Sequence, residues 1–221
     1  MTVLVKICGL STQDTLDAAL AAGADMVGLV FFPRSPRNVS LETAAALASR
    51  AAGRALVVAL TVDADDATLD AIRATVRPDL WQLHGAETPE RVAAIRARTG
   101  LPVMKVLGIA DAADLAAIDP YLEVSDRLLF DAKPPKGSAL PGGNGVAFDW
   151  SLLAGLDLPR PAMLSGGLDA ASVARALAIT GLPGVDVSSG VERAPGDKDP
   201  ARIAAFVAAA RGAVAAASAA E

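Results

Sequence analysis

The sequence predicts an α/β fold, a single (β/α)8 TIM barrel spanning residues 1–221. Short β-rich runs alternate with helical patterns from one end of the chain to the other. The runs are mostly apolar throughout, as strands of a parallel sheet covered by helices must be. Eight such units in 221 residues fall near the lower size limit of the barrel. An open doubly wound sheet shares the alternation and is the competing arrangement. No composition shift or long linker divides the chain, so one domain is expected.

The first strand is expected at Val3–Ile7, a β-branched run ending in Cys8-Gly9. A helix follows over Ser11–Ala22, where Leu16, Ala19 and Leu20 repeat at helical spacing. Ser11 and Asp14 read as its capping box and Gly23 as its stop. Further strands are expected near Met26–Phe31, Leu56–Leu60, Leu80–Leu83, Val103–Val106, Arg127–Phe130, Ala162–Leu164 and Val185–Val187. Ser40 opens a second helix, Thr88-Pro89 a later one, and Asp169 or Ser172 another. Gly137 to Gly145, rich in Gly and Pro, reads as one long loop.

The chain is 52% hydrophobic with a mean hydropathy of +0.40, enough for a packed core and contrary to disorder. Much of that is alanine, which fills helices. The Ala-rich stretch Ile203 to Ala220 is interrupted by Arg211-Gly212 and lacks bulky apolar residues, so no membrane partner is expected. The amino terminus runs straight into the first strand, so no signal peptide is expected, and a single cysteine suits a reducing, cytoplasmic location. Net charge is −5 with no basic stripe, which argues against nucleic acid as a partner. An anionic small molecule would have to be held by local groups, an arginine or exposed backbone N–H. One histidine and one cysteine cannot assemble a zinc-type cluster, so no metal is expected.

Cys8 is the candidate for proton chemistry at the first strand end. Alternation puts Leu4, Lys6 and Cys8 on one face, so Lys6 and Cys8 look into the barrel and its mouth. A lone cysteine is most often a small buried hydrophobe. The place of this one, before Gly9 at a carboxyl-end strand position, points to function. A cation beside a thiol favours the thiolate, which takes protons, and Lys6 is expected to have that effect. Asp131, after Arg127–Phe130, is either a cap or lysine partner, or a proton donor; a carboxyl in that role needs a dry site or a second anion. Asp186, inside the last strand, is expected to pair with Lys6 across the closing seam and stands among the substrate-binding candidates.

Ser165-Gly166-Gly167 and Ser188-Ser189-Gly190 follow the seventh and eighth strands, where such barrels place phosphate. Gly166, Gly167, Ser189 and Gly190 are the phosphate-binding candidates, with Gly143 and Gly145 as further substrate contacts. Arg37, in a proline-stiffened loop, is placed to bind a carboxylate in bidentate fashion. His84 stands at the pocket rim or makes a structural hydrogen bond.

Val5-Lys6-Ile7-Cys8-Gly9-Leu10, Gly23 to Phe31, Ser35-Pro36-Arg37, Gln82-Leu83-His84-Gly85, Leu128 to Asp131, Gly143-Asn144-Gly145, Phe148-Asp149-Trp150, Leu164 to Leu168 and Val185 to Glu192 occur in order through almost the whole chain. In this the sequence resembles the phosphoribosylanthranilate isomerases of tryptophan biosynthesis. The resemblance implies a (β/α)8 barrel that performs an Amadori rearrangement on a small phosphoribosyl substrate, with no cofactor, as a monomer or weak homodimer. It implies Asp131 as general acid to the ribose ring oxygen, Cys8 as general base at C2, and Arg37 on the anthranilate carboxylate. Gly166, Gly167, Ser189 and Gly190 would hold the phosphate. Two departures from the family pattern are a longer stretch at Ala132 to Leu140 and the third strand's Val57 to Val62, where Gly and Phe are more usual. The rival readings are another phosphosugar barrel, such as a metal-dependent epimerase or an aldolase using Lys105, and a phosphate-binding module without catalysis.

Overall fold

A computed structural model describes residues 2–133, 142 and 147–218. Eight parallel strands close into a barrel in sequence order: β1 (Leu4–Cys8), β2 (Met26–Phe31), β3 (Leu56–Thr61), β4 (Leu80–Leu83), β5 (Val103–Ile109), β6 (Arg127–Ala132), β7 (Ala162–Leu164) and β8 (Gly184–Val187). Closure is direct, since β1 pairs with β2 on one side and β8 on the other. The open doubly wound arrangement is thereby excluded.

Alternation along each strand sorts the core. Outward residues such as Val5, Ile7, Trp81 and Leu83 pack under the helices. Inward, Met26, Val58, Leu80, Met104, Leu129 and Met163 fill the barrel floor. One step higher the interior turns polar, with Lys6, Gln82, Asp131, Ser165 and Asp186 all buried.

The outer layer comprises α1 (Gln13–Ala22), α2 (Leu41–Ala51), α3 (Asp66–Val76), α4 (Pro89–Thr99), α5 (Asp119–Leu122), α6 (Val173–Thr180) and α7 (Pro200–Ser218). Ser40 and Thr88 cap α2 and α4 as the sequence predicts, with Pro89 in the first turn. The cap of α1 falls on Thr12 rather than Ser11. Thr15, buried at the third helical position, donates its N–H to the Thr12 hydroxyl at 3.3 Å and its own hydroxyl to the Thr12 carbonyl at 3.2 Å. Gly23 ends α1 in the left-handed region, φ 86°. Before α6, Asp169 and Ser172 hold the lead-in turn together: the Asp169 carboxylate accepts from the N–H groups of Ala171 and Ser172, and the Ser172 hydroxyl accepts from Asp169 N–H at 2.9 Å. After β5 the helical layer thins to a 3₁₀ turn at Ala112–Ala117 and the single turn of α5, and after β6 to a 3₁₀ turn at Trp150–Leu153.

At the amino-end face one device recurs. Asp25, Asp79 and Asp126, each just before an even-numbered strand, accept from Val5, Val57 and Val103 N–H on the preceding odd strand at 2.7, 2.7 and 2.9 Å. This ties the strand starts together and leaves the carboxyl ends to form a site. Beyond β8, a small antiparallel hairpin of β9 (Glu192–Ala194) and β10 (Asp197–Lys198) folds back toward the barrel mouth. No helix among the described residues is long and apolar enough to cross a membrane.

Candidate active site

A cavity of about 790 Å³, counted out to its open mouth, lies over the carboxyl ends of the strands. Cys8, Arg37, His84, Asp131, Asp186, Gly166, Gly167 and Ser189 all line it, so most candidates drawn from the sequence converge on one space. Gly143 and Gly145 lie outside the described residues.

Cys8 ends β1 and is 3% exposed. Lys6, two residues back on the same face, is fully buried and donates to Asp186 Oδ1 at 2.8 Å. The two residues are register partners across the β1–β8 seam, and closure of the barrel makes the pair. Gly28 on β2 gives this group room: a Cβ there would stand 2.8 Å from Cys8 Sγ and 3.1 Å from Lys6 Nζ. Lys6 pulls the Cys8 thiol toward thiolate, as the sequence predicts, but a second influence opposes it. Burial pushes the thiol above its ordinary value, and the opposing pull of Lys6 does not cancel that rise. Lys6 is itself raised: burial works against its charge, but Asp186 and then Cys8 outweigh that.

Asp131 lies inside β6 rather than after it, and is 5% exposed. Its Oδ1 accepts from Ala132 N–H at 2.9 Å, and its Oδ2 lies 3.3 Å from His84 Nε2. That pair is close enough for charge interaction but out of line for a hydrogen bond, and Nε2 has no hydrogen-bond partner among the described residues. Among the described residues Asp131 is neither a helix cap nor a lysine partner; Lys133 pairs with Asp114 instead. Gly142 closes over the pair, since a Cβ there would meet His84 and Asp131 at 2.5 and 2.6 Å.

Between β1 and β6 around the barrel stand β7 and β8 with their two turns. Gly166 and Gly167 have φ of 85° and 67°, and a Cβ on either would come within 2.6 Å of a backbone nitrogen, Ala132 or Ala147. Gly190 does not line the cavity. A Cβ there would lie 1.9 Å from the Leu168 carbonyl oxygen, so its smallness lets the two turns touch. A side chain at Gly190 would disturb the backbone itself, not only a ligand.

A family model described as N-(5'-phosphoribosyl)anthranilate (PRA) isomerase matches residues 5–209. The chain belongs to this family. A relative from Azorhizobium caulinodans named N-(5'-phosphoribosyl)anthranilate isomerase is 64% identical over 216 residues, 98% of this chain and 95% of the relative. One of the same name from Rhodopseudomonas palustris strain BisA53 is 66% identical over 211 residues, 96% and 97% of the two chains. The crystal structure of phosphoribosyl anthranilate isomerase from Thermotoga maritima superposes with a TM-score of 0.84 at 33% identity, over 95% of this chain and 99% of that one. A phosphoribosyl anthranilate isomerase in complex with reduced 1-(o-carboxyphenylamino)-1-deoxyribulose 5-phosphate superposes with a TM-score of 0.81 at 32% identity, over the same shares.

Within this member of the isomerase family, Arg37 has a carboxylate partner that the sequence did not point to. Its Nε and Nη2 donate to the two carboxylate oxygens of Glu192 at 2.7 and 2.8 Å, so the bidentate carboxylate on that edge is the protein's own. Glu192 also accepts from Lys198 at 2.7 Å, and Lys198 reaches the Ser188 carbonyl at 2.9 Å. Burial alone would raise the Glu192 carboxyl, but Arg37 and Lys198 hold it below its usual range. The same burial lowers Lys198 despite Glu192. Ser188 Oγ in turn donates to the Cys8 carbonyl at 3.2 Å. The hairpin thus ties the arginine, the turn after β8 and the thiol's backbone into one network.

Sequence reasoning left without a role Ser165 and Gln82, which line the cavity, and Glu192 and Lys198, which support it through Arg37 and Ser188. For Glu192 the available signal was a charged residue two positions after Ser188-Ser189-Gly190; for Lys198, eight positions beyond that turn, no local signal was available. Lys105, the aldolase candidate, does not line the cavity; its ammonium is held by Glu87 at 2.6 Å and the Gly85 carbonyl at 2.7 Å. Among the described residues no group of three His, Cys, Asp or Glu side chains is placed to hold a metal ion.

Proposed function

We propose that this protein converts N-(5'-phosphoribosyl)anthranilate to 1-(2-carboxyphenylamino)-1-deoxyribulose 5-phosphate, a step of tryptophan biosynthesis. The observation that carries the reading is the placing of Cys8 and Asp131 on one cavity, from strands that flank the turned strands β7 and β8, in a chain of this family.

With the phosphate against Gly166, Gly167 and Ser189, the pentose lies between acid and base. Asp131 gives its proton to the ribose ring oxygen as the C1–O bond breaks, and the anthranilate nitrogen lone pair closes a C=N bond. Cys8, as thiolate, removes the C2 proton, and the electron pair moves through C1 to nitrogen to give an enolamine. Loss of the O2 proton and protonation at C1 leave the ketone. The substrate's own nitrogen is the electron sink, so the chemistry calls for no cofactor. Arg37, oriented by Glu192, holds the anthranilate carboxylate. Asp186 acts through Lys6 on the thiol, and His84 keeps Asp131 company at the rim.

The chain acts as a monomer or a weak homodimer in the cytoplasm. In support, Leu56 is the one large apolar side chain strongly exposed among the described residues. The test of the function is loss of phosphoribosylanthranilate fluorescence with the purified protein in chelator. Turnover at a typical enzymatic rate is expected, and none would overturn the reading.

A further inference from the structure

Among the described residues, five buried side chains carry a polar atom without a hydrogen-bond partner: Thr61, Trp81, Gln82, His84 and Trp150. Only Gln82 and His84 of these line the cavity. Gln82 alone is unpartnered at both its donor nitrogen and its acceptor oxygen, though it is 1% exposed. Its register neighbours are Leu60 on β3 and Met104 on β5, neither of which can answer an amide.

A buried amide left unsatisfied is costly to the fold, and an apolar side chain of the same shape would serve this position better. A group that harms the resting fold and faces a binding cavity is explained by what binds there. The proposed function, on which this inference rests, assigns the two ends of the substrate, phosphate to the β7 and β8 turns and carboxylate to Arg37. The part left over the barrel floor is the pentose, whose polar groups are hydroxyls. A hydroxyl both donates and accepts, so two of them match an amide.

We infer that Gln82 is a substrate-binding residue whose amide takes two pentose hydroxyls, Nε2 donating to one oxygen and Oε1 accepting from another. The residue therefore works against the empty protein and for the loaded one. Gln82→Met keeps length and shape while removing both polar atoms. The variant should unfold about 2–4 °C above the parent, because it no longer buries an unpaired amide. Its kcat/KM for phosphoribosylanthranilate should fall about 10- to 100-fold, the loss expected for hydrogen bonds to substrate. A melting temperature lower than the parent's, or failure to fold, would mean that the amide serves the structure and would overturn the inference. So would a kcat/KM within about twofold of the parent. Absence of turnover in the parent would instead overturn the proposed function.

Discussion

Two of the buried lysine–carboxylate pairs have their lysine on a barrel strand, and they differ in what surrounds them. Lys6–Asp186 joins β1 to β8 at 2.8 Å, and Lys105–Glu87 joins β5 to the loop after β4 at 2.6 Å. All four side chains are almost fully buried. Around Lys105 the backbone answers everything: the ammonium also donates to Gly85 O, and Glu87 accepts from Asp63 and Gly85 N–H. Tyr121 lays its ring 5.7 Å from that ammonium and its hydroxyl on the Glu87 carbonyl. Around Lys6 the remaining neighbours are the Cys8 thiol and, on Asp186, the Ser165 hydroxyl at a long 3.4 Å. Asp186 lines the cavity, and neither Lys105 nor Glu87 does. Alike in composition and burial, one pair is closed off by backbone groups and the other stands beside the thiol to which the proposed function gives the proton transfer at C2. A buried ion pair takes its meaning from the groups it leaves unsatisfied.

The largest effects are expected on the Cys8 side. Cys8→Ala and Asp131→Asn should each lower kcat by about 10²–10⁴-fold, the usual contribution of a general base or acid, while the melting curve keeps its shape. Steady-state rates beside calorimetry check this. Near-normal turnover of Cys8→Ala would move the base elsewhere, with His84 next. Arg37→Ala should act more on binding than on chemistry, raising KM by about 10-fold or more with kcat within a few-fold. A kcat collapse at constant KM would give Arg37 another job. The smallest effect is on stability against pH. The folded thiol is raised by burial, so above about pH 8.5 the unfolded chain gives up its proton first. The contribution is whole below that range and is lost as pH rises. Denaturant titrations from pH 7 to 10 should show a steeper alkaline loss in the parent than in Cys8→Ala.

Most of the barrel was legible because its signals are local. Apolar β-branched runs give the strands, and Ser40, Thr88 and Gly23 punctuate the helices within a few residues of themselves. Lys6 with Asp186 could be foreseen from topology alone, since closure makes the first and last strands neighbours. The partner of Arg37 could not, because Glu192 lies 155 residues away on a hairpin of three and two residues. Nor could the role of Gln82: lacking a partner is a property of the packed interior, and nothing in Leu80-Trp81-Gln82-Leu83 announces it. The net balance at Cys8 could not be read for a similar reason. Proximity of Lys6 is readable along a strand, whereas full desolvation of the thiol belongs to the assembled barrel.

The difference between the two pairs is tested most directly by neutralising each and following kcat/KM against pH. Lys6→Met/Asp186→Asn removes a lysine that pulls the thiol down more than the aspartate pushes it up. Its Cys8 limb should move to higher pH, with kcat/KM at neutral pH below the parent's. Lys105→Met/Glu87→Gln, which keeps an acceptor for the Asp63 and Gly85 N–H groups, should leave the profile of the folded enzyme where it was. Matching shifts in both variants, or a Cys8 limb that stays in place when Lys6 and Asp186 are neutralised, would contradict the account.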